Sequence, residues 1–389
     1  MMPLEGIKVV DLTQAAAGPL AGQLLGDMGA DVIKVEPLSG DHFRPMMNGS
    51  WVLSVNRNKR GLAVDLKLPE GKEIMFNLIK EADVFLQAFV PGTIERLGLG
   101  YEDVKKINPR IIYCAVSGYG QSGPNSRRSG YDVCAQAESG LMAATGDEGS
   151  PYVRIGSSLI DYCTGVYAAY GIASAILARE KTDKGQFIDI CLLDVAISLM
   201  GHWITNYSIT GENPERMGTG HNIGAPYQVF DTKDRSIYIG ILSDKHWKGF
   251  CEHLKLHDLL CNPLFSTNKE RSEHKPELIP LVQKELYKHT CDELMEILVS
   301  LGIPCAPVLK VSEALESPHV KQRNIVVERE YQQFGKVKFP NNPLNMSETP
   351  VTIRMDTPQV GEHSVEVLEQ LGYEKDKISQ LIDKKVILG

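Results

Sequence analysis

The stretch from residue 7 to residue 35 decides the fold class. It begins with the apolar run Ile7-Lys8-Val9-Val10-Asp11-Leu12 and closes with a second run, Asp31-Val32-Ile33-Lys34-Val35, and each run is typical of a buried strand. Between them, a turn of small residues leads into a helix predicted over residues 18–27. A strand, a helix and a strand within about 30 residues form a βαβ unit, which requires a right-handed crossover and a parallel sheet.

The same alternation continues along the first half of the chain. The sequence predicts strands at residues 62–66, 83–86, 111–116 and 187–190, with a helix beginning near residue 69 and another over residues 194–207. This pattern indicates an α/β protein with a Rossmann-like sheet.

After residue 210 the pattern changes. Two β-rich runs, at residues 226–230 and 237–241, flank a polar turn and predict a β-hairpin, and helices are expected at residues 245–256, 276–289 and 291–301. We therefore expect a large Rossmann-like domain over residues 1–205 and a smaller α+β domain over residues 225–310. Residues 325–389 contain a helical tail and are expected to return to the large domain.

Charge and composition narrow the class of protein. The 389 residues include 41 Lys and Arg against 49 Asp and Glu, a formal net charge of −8, which argues against nucleic acid as a partner. The start of the chain does not resemble a secretory signal and no apolar run is long enough for a membrane span, so we expect a cytoplasmic protein, or one from an organelle matrix. Eight scattered cysteines favour reduced thiols over a disulfide framework or a zinc site.

The turn after the first strand does not carry a dinucleotide-binding fingerprint. Gly18, Gly22 and Gly26 recur every four residues, which places them on one helix face and predicts close packing of that face. The chain also lacks the P-loop, the H-E-x-x-H zinc motif and the G-x-S-x-G nucleophile elbow, so three large enzyme classes are poorly supported.

One basic cluster stands out against the acidic background. The segment Asn56-Arg57-Asn58-Lys59-Arg60-Gly61 holds three cations in front of a predicted strand. It is either a solvated loop or a cradle for the phosphates of an anionic ligand, to which Arg96 and the pair Arg127-Arg128 can add.

Asp161 is the carboxylate of greatest interest. It lies near the start of a long helix, where the N-terminal dipole stabilises a negative charge. Two interpretations stay open: a helix cap, which is a common role for Asp, or a reactive group. The buried stripe of this helix is expected to consist of Val166, Ala169, Tyr170, Ala173, Ile176 and Leu177.

Taken in order, many short elements resemble one family, the family III CoA transferases of the CaiB/BaiF type, over nearly the whole chain. The match is strongest to members that use succinyl-CoA and dicarboxylates. The stretches that carry it include Leu4-Glu5-Gly6-Ile7-Lys8-Val9-Val10-Asp11-Leu12, Gly29-Ala30-Asp31-Val32-Ile33-Lys34-Val35-Glu36, Asn56-Arg57-Asn58-Lys59-Arg60, Gly118-Tyr119-Gly120-Gln121-Ser122-Gly123-Pro124, Gly130-Tyr131-Asp132, Ile160-Asp161 with Gly165, and Gly302-Ile303-Pro304.

The resemblance implies a fold, a site and a reaction. Family members are interlocked homodimers in which the active site lies between the large domain of one chain and the small domain of the other. Asp161 stands where they carry the catalytic aspartate, which forms acyl anhydride and aspartyl-CoA thioester intermediates. Coenzyme A is a substrate, and no metal or tightly bound cofactor is implied. The resemblance gives the CoA-binding positions as Arg57, Lys59, Arg60, Phe89, Arg96 and Ala16, and the substrate or oxyanion loop as Gly218, Gly220 and His221.

Departures from the family pattern bear on specificity. Ala16 replaces a Gln of the formyl-CoA transferases, and Gly218-Thr219-Gly220-His221 stands in the region of their tetraglycine loop, so the acceptor is expected to be a dicarboxylate or similar organic acid. One alternative is a 2-methylacyl-CoA racemase, which is disfavoured because Tyr131 replaces the histidine of the racemase motif and tyrosine is a poor base near neutral pH. The other is a CoA-binding protein without catalysis.

Overall fold

The computed structural model describes residues 1–389, which divide into two compact units. The first unit consists of Met1–Met142, Arg154–Asn213 and Arg323–Gly389, and the second of Ala143–Val153 and Pro214–Gln322. The chain therefore leaves the first unit twice and returns to it twice.

A six-stranded sheet forms the centre of the first unit, and all of its strand pairs are parallel. The strand order is β3-β2-β1-β4-β5-β6, so the predicted α/β class with a Rossmann-like parallel sheet is confirmed. The strands are β1 (Lys8–Leu12), β2 (Asp31–Glu36), β3 (Lys59–Ala63), β4 (Val84–Gln87), β5 (Ile112–Ser117) and β6 (Gln186–Cys191).

Successive strand residues point to opposite sides of the sheet, so apolar side chains lie on both faces. Helices cover each of these faces. Val10 belongs to an apolar core on one face and Val9 to a separate core on the other. The helices of the first half of the chain are α1 (Ala17–Asp27), α2 (Ser50–Val55), α3 (Pro69–Glu81), α4 (Thr93–Arg96), α5 (Tyr101–Ile107), α6 (Asp132–Glu138), α7 (Leu141–Ala144), α8 (Leu159–Thr182), α9 (Leu192–Leu199) and α10 (Gly201–Thr210), with a 3₁₀ turn at Met46–Gly49.

The C-terminal part of the chain completes the first unit. Val367 and Leu381 lie in the same apolar core as Val10. The elements of this part are β10 (Val326–Tyr331), β11 (Gly335–Pro340), α18 (Ser364–Gln370) and α19 (Lys375–Asp383). The strands β10 and β11 form an antiparallel hairpin.

The second unit contains the predicted hairpin, in which Tyr227 pairs with Gly240 in antiparallel register. A short third strand, which the sequence does not signal, extends this hairpin to a three-stranded sheet. The elements are β7 (Tyr227–Asp231), β8 (Ser236–Gly240), α11 (Asp244–His253), α12 (His257–Leu260), a 3₁₀ turn (Pro263–Phe265), α13 (Asn268–Glu273), α14 (Lys275–Leu286), α15 (Cys291–Ser300), β9 (Cys305–Pro307), α16 (Val311–Glu316) and α17 (Pro318–Gln322). No helix of the chain combines the length and apolar character needed to cross a membrane.

The third strand begins three residues earlier than the sequence predicts. It covers Lys59–Ala63 instead of residues 62–66, so Lys59 and Arg60 belong to the strand and are buried. Cations are rarely buried unless they are paired, and a sequence pattern alone places them in a loop. Carboxylate partners, described below, explain why this strand can accept them.

The expected buried stripe of α8 is only partly right, since Ala169 and Ile176 are buried but the larger residues of the stripe are not. Val166, Tyr170 and Leu177 are 54%, 69% and 69% exposed, while Ala168 and Ile172 are buried. Gly165 lets α8 approach α1 closely, because a Cβ atom there would lie 2.7 Å from the carbonyl oxygen of Ala17. Val166, Tyr170 and Leu177 lie on the exposed face of α8 instead.

The glycine face of α1 packs as predicted. A Cβ atom on Gly18 would lie 2.5 Å from Thr13, and one on Gly26 would lie 2.7 Å from the carbonyl oxygen of Asn58. A Cβ atom on Gly22 would lie 2.5 Å from a carboxylate oxygen of Asp11. These contacts leave no room for a side chain, so the glycines serve close packing.

Candidate active site

A cavity of about 320 Å³ lies at the carboxyl ends of β1, β4 and β5. Its walls include Gln14 after β1, Phe89 after β4 and Gly118 after β5. β1 and β4 are neighbours although the chain forms two other strands between them, so the strand order reverses at this point. Open parallel sheets bind ligands at such a switch point, outside the carboxyl ends of the strands.

Asp161 is the third residue of α8 and lines this cavity. Its carboxylate accepts no hydrogen bond within the chain, and the residue before the helix, Ser158, makes no side-chain cap. The capping role is filled by Asp132, whose Oδ2 accepts the backbone N–H groups of Ile160 at 2.7 Å and of Asp161 at 3.2 Å. The Asp161 side chain is therefore left free to face the cavity.

Asp132 belongs to a short hydrogen-bonded chain that fixes the start of α8. Its Oδ1 accepts a hydrogen bond from the side-chain amide of Gln136, and Oε1 of Gln136 accepts the N–H of Ile155 at 3.0 Å. In the sequence, Asp132 stands out only as the neighbour of Tyr131. Its role was not visible because the amides it binds lie 28 and 29 residues further along the chain.

The environment of Asp161 raises the pKa of its carboxyl from 3.8 to about 7. Burial is the main cause, because it disfavours the charged form, and the negative charge of Asp132 adds to it. An ionised carboxylate at this position is poorly solvated and unpaired, which are the conditions under which a carboxylate attacks a carbonyl carbon most readily.

Three other titratable side chains line the cavity: His42, Arg128 and Tyr131. Arg128 Nη2 lies 2.8 Å from Glu138, and the guanidinium stacks 4.6 Å from the centre of the Tyr119 ring. The remaining wall is largely apolar, with Phe89 contributing an aromatic ring. Of the predicted site residues, the structure brings Asp161 and Phe89 together.

The three cations of the basic cluster do not line this cavity. The Arg57 guanidinium donates two hydrogen bonds, of 3.0 and 2.6 Å, to the carboxylate of Asp27. The Arg60 guanidinium donates two hydrogen bonds, also of 3.0 and 2.6 Å, to the carboxylate of Asp31. Both guanidinium groups thus already have a carboxylate partner in the first unit.

Lys59 is fully buried, and its ammonium group uses its donors within the protein. Nζ donates to Asp11 Oδ2 at 2.8 Å, to the carbonyl of Pro19 at 2.7 Å and to Asn56 Oδ1 at 2.8 Å. Burial alone would raise the pKa of Asp11, but the cations of Lys59 and Lys34 outweigh it and hold that pKa below its ordinary value. Contact between Lys59 and a CoA phosphate would require these bonds to break.

A second cavity of about 340 Å³ adjoins the first, and Pro91 lines both. Buried side-chain NH₂ groups of Gln87 and Gln121, two of its lining residues, have no hydrogen-bond partner. Arg127, a further lining residue, is exposed and has no carboxylate partner. Tyr101, Tyr113 and Phe187 supply aromatic rings packed 5.1 to 5.7 Å apart.

The other predicted CoA-binding residues lie near these walls. Arg96 is exposed on α4 and donates to Thr93 Oγ1 at 3.1 Å. Ala16 lines a third cavity, of about 660 Å³, together with Trp51 and Tyr162.

The predicted oxyanion loop belongs to the second unit. The N–H of Gly218 donates to the carbonyl of Gly146 at 2.8 Å, and that of Gly220 to the carbonyl of Met217 at 2.8 Å. His221 Nδ1 accepts the N–H of Ile223 at 3.2 Å. Both glycine amides are therefore engaged within this unit, and their contact with substrate stays a prediction.

No group of three or more His, Cys, Asp or Glu side chains is arranged as a metal site requires.

The chain is similar over nearly its whole length to known CoA-transferases and to a solved structure. The succinyl-CoA:glutarate CoA-transferase of Homo sapiens is 37% identical over 99% of this chain and 90% of that protein. The succinate–glutarate CoA-transferase of Agrobacterium fabrum is 33% identical over 95% of this chain and 96% of that protein. The crystal structure of a CAIB/BAIF family protein from Brucella suis superposes with a TM-score of 0.88 at 33% identity, covering 95% of this chain and 99% of the other.

A family description covers almost the same length. The model of CoA-transferase family III matches residues 4–364, a span that includes the sheet, the cavity at its carboxyl edge and Asp161. The chain is therefore an enzyme that belongs to CoA-transferase family III.

Proposed function

We propose that the enzyme moves CoA from an acyl-CoA donor to a dicarboxylic acid or a similar organic acid, with Asp161 as the nucleophile. One observation carries the proposal. The Asp161 carboxylate is unpaired, has a raised pKa and lines the cavity at the switch point of the sheet. The named relatives that use succinate and glutarate support a dicarboxylate as the acceptor class.

The first half of the reaction transfers CoA to the enzyme. A carboxylate oxygen of Asp161 attacks the thioester carbonyl of the donor, the C–S bond breaks, and CoA leaves as a thiolate from a mixed anhydride. The thiolate then attacks the aspartyl carbonyl of the anhydride. The donor acid leaves as a carboxylate, and Asp161 carries CoA as a thioester.

The second half mirrors the first. The acceptor carboxylate attacks the aspartyl thioester and displaces the CoA thiolate, which leaves a new anhydride between Asp161 and the acceptor. The thiolate attacks the acceptor carbonyl of this anhydride. Acceptor acyl-CoA forms and the Asp161 carboxylate is regenerated, so protons and electrons balance without a further reactant.

The two adjoining cavities suggest how CoA lies on the first unit. We place the reacting thioester beside Asp161 and Phe89 and the nucleotide end in the second cavity. There the unpartnered amides of Gln87 and Gln121 offer hydrogen-bond donors, and the aromatic rings offer a stacking surface. Arg127, with Arg96 nearby, offers a cation for the phosphates without breaking an existing ion pair.

The Arg127→Gln variant is expected to raise KM for acyl-CoA by about tenfold at low salt, since one charge-assisted contact is lost, and by less at high salt because screening weakens that contact. The matched control is Arg110→Gln, at the amino edge of the sheet, where an exposed pair with Asp183 contributes little. Equal KM values for the two variants at both salt concentrations would place the nucleotide elsewhere.

We also propose that the functional enzyme is an interlocked homodimer and that it works in the cytoplasm or in an organelle matrix. Support for the dimer comes from the outer faces of α8 and α10, which expose large apolar side chains including Tyr170, Leu177 and Ile209. Large apolar side chains exposed in this number are typical of a face that another chain covers.

Hydroxylamine tests the nucleophile directly. We expect that acyl-CoA together with hydroxylamine inactivates the enzyme, because hydroxylamine attacks the activated aspartyl carbonyl and leaves a hydroxamate on Asp161. Peptide mass spectrometry locates the modification, and hydroxylamine without acyl-CoA is the control. Full retention of activity, or a hydroxamate on another residue, would remove Asp161 from this role.

A further inference from the structure

We propose that His42 determines acceptor specificity by binding the second carboxylate of a dicarboxylic substrate whose first carboxylate reacts at Asp161. The inference rests on the proposed CoA transfer and adds a residue that binds substrate. His42 lies on the loop after β2, and both His42 and Asp161 line the cavity of about 320 Å³.

Buried charges hold the loop that carries His42. Glu36, at the end of β2, accepts the N–H of Asp41 at 2.9 Å and two hydrogen bonds from Arg44, at 2.8 and 2.6 Å. Asp41 is itself buried, and its Oδ1 accepts the N–H of Phe43 at 2.9 Å. These bonds fix the loop on both sides of His42, as a residue that selects substrates requires.

The imidazole projects from this fixed loop into open space. The side chain of His42 is 60% exposed, and its Nδ1 lies 3.7 Å from Asp41 Oδ1, while Nε2 has no partner within the chain. The ring lies 4.3 Å from that of Phe43, which in turn lies 6.5 Å from that of Tyr131. Aromatic neighbours on one side and a carboxylate at one nitrogen leave the other nitrogen available to a ligand.

The polar groups of the cavity wall also favour His42 as the residue that binds the second carboxylate. A dicarboxylate needs one positively charged or N–H donor group for the end that does not react, because the reacting end faces the Asp161 carboxylate. Arg128 is a cation of the wall, and its guanidinium donates hydrogen bonds to Glu138 and stacks on the Tyr119 ring. Nε2 of His42 is thus a ring nitrogen of the wall that makes no hydrogen bond within the chain.

Acceptors of equal length isolate this interaction. With a saturating acyl-CoA donor, a five-carbon dicarboxylate and a five-carbon monocarboxylate are compared in the wild type, His42→Leu and His42→Lys. We expect His42→Leu to raise KM for the dicarboxylate by about tenfold or more, with KM for the monocarboxylate changed less than about twofold. His42→Lys supplies an N–H donor at the same position and is expected to restore most of the preference. The exposed His253→Leu, in the second unit, is the matched control and should behave as wild type.

The outcomes separate the two proposals. Transfer by the wild type with an unchanged ratio of the two KM values in His42→Leu would overturn the role of His42 while leaving CoA transfer intact. An equal rise in both KM values would also overturn it, since the residue would then act on all acids alike. Failure of the wild type to transfer CoA to either acid would count against the proposed function instead. Because His42 is exposed, its substitution leaves the core unchanged, and equal melting temperatures verify this.

Discussion

The Asp161→Asn variant is expected to lose CoA transfer by at least about 10³-fold and at the same time to become more stable at pH 8. The loss follows from the chemistry, because a neutral amide does not attack the thioester carbonyl, and removal of a nucleophile can cost on the order of 10⁶-fold.

The gain in stability follows from the raised pKa. The carboxyl of Asp161 titrates at about 7 in the folded chain and at 3.8 without the influence of the fold. As the pH rises from 3.8 to about 7, the unfolded chain releases this proton while the folded chain still holds it, so the free energy of unfolding falls. The full loss of stability is present above about pH 7. Asparagine carries no charge and avoids this cost.

Thermal unfolding at several pH values measures the effect. We expect the melting temperature of Asp161→Asn to exceed that of the wild type by at least about 2 °C at pH 8 and the two to converge near pH 4. Asp376→Asn, at an exposed position in the first turn of α19, is the control and should show no such convergence. A difference that is the same at pH 4 and pH 8 would contradict the raised pKa of Asp161.

Replacement of Lys59 by Met is expected to destabilise the protein by about 3–5 kcal/mol, since it leaves the buried carboxylate of Asp11 without its counter-ion. The matched control is Lys8→Met. The pair of Lys8 with Glu81 is about half exposed, and exposed pairs contribute about 0–1 kcal/mol.

This experiment also decides between two roles for the basic cluster. If Lys59 holds the fold, the variant unfolds at lower denaturant concentration, and adding Asp11→Asn recovers part of the loss by removing the unpaired charge. If Lys59 holds a CoA phosphate, the single variant keeps its stability and binds CoA more weakly in equilibrium dialysis.

The sequence predicts the large-scale architecture well, because apolar periodicity and βαβ spacing depend on neighbours along the chain. The parallel sheet, the hairpin of β7 and β8 and the glycine face of α1 are all readable in this way. The start of β3 is not, because Lys59 and Arg60 look like loop residues until Asp11 and Asp31 are known to face them.

The candidate site shows the same limit. Asp161 is recognisable from its sequence context, but Asp132 acts on amides in a helix that begins 27 residues later, and no local pattern reports such a contact. The sequence wrongly predicts that Val166, Tyr170 and Leu177 of α8 are buried, for a related reason. Apolar character predicts burial, but it does not distinguish Ile172, which is buried, from Tyr170 and Leu177, which are exposed.

The three hydrogen bonds of the Lys59 ammonium bear on how the cavity forms during folding. They join the end of β1, the first turn of α1 and the turn before β3, and the Asp11 partner lies 48 residues away in sequence. Contacts over such separations form late, because the intervening chain must first be ordered. The cavity wall after β1 therefore forms together with the docking of β3 and not as a local element. Binding capacity and the cooperative folding of the sheet should consequently appear, and be lost, in a single transition.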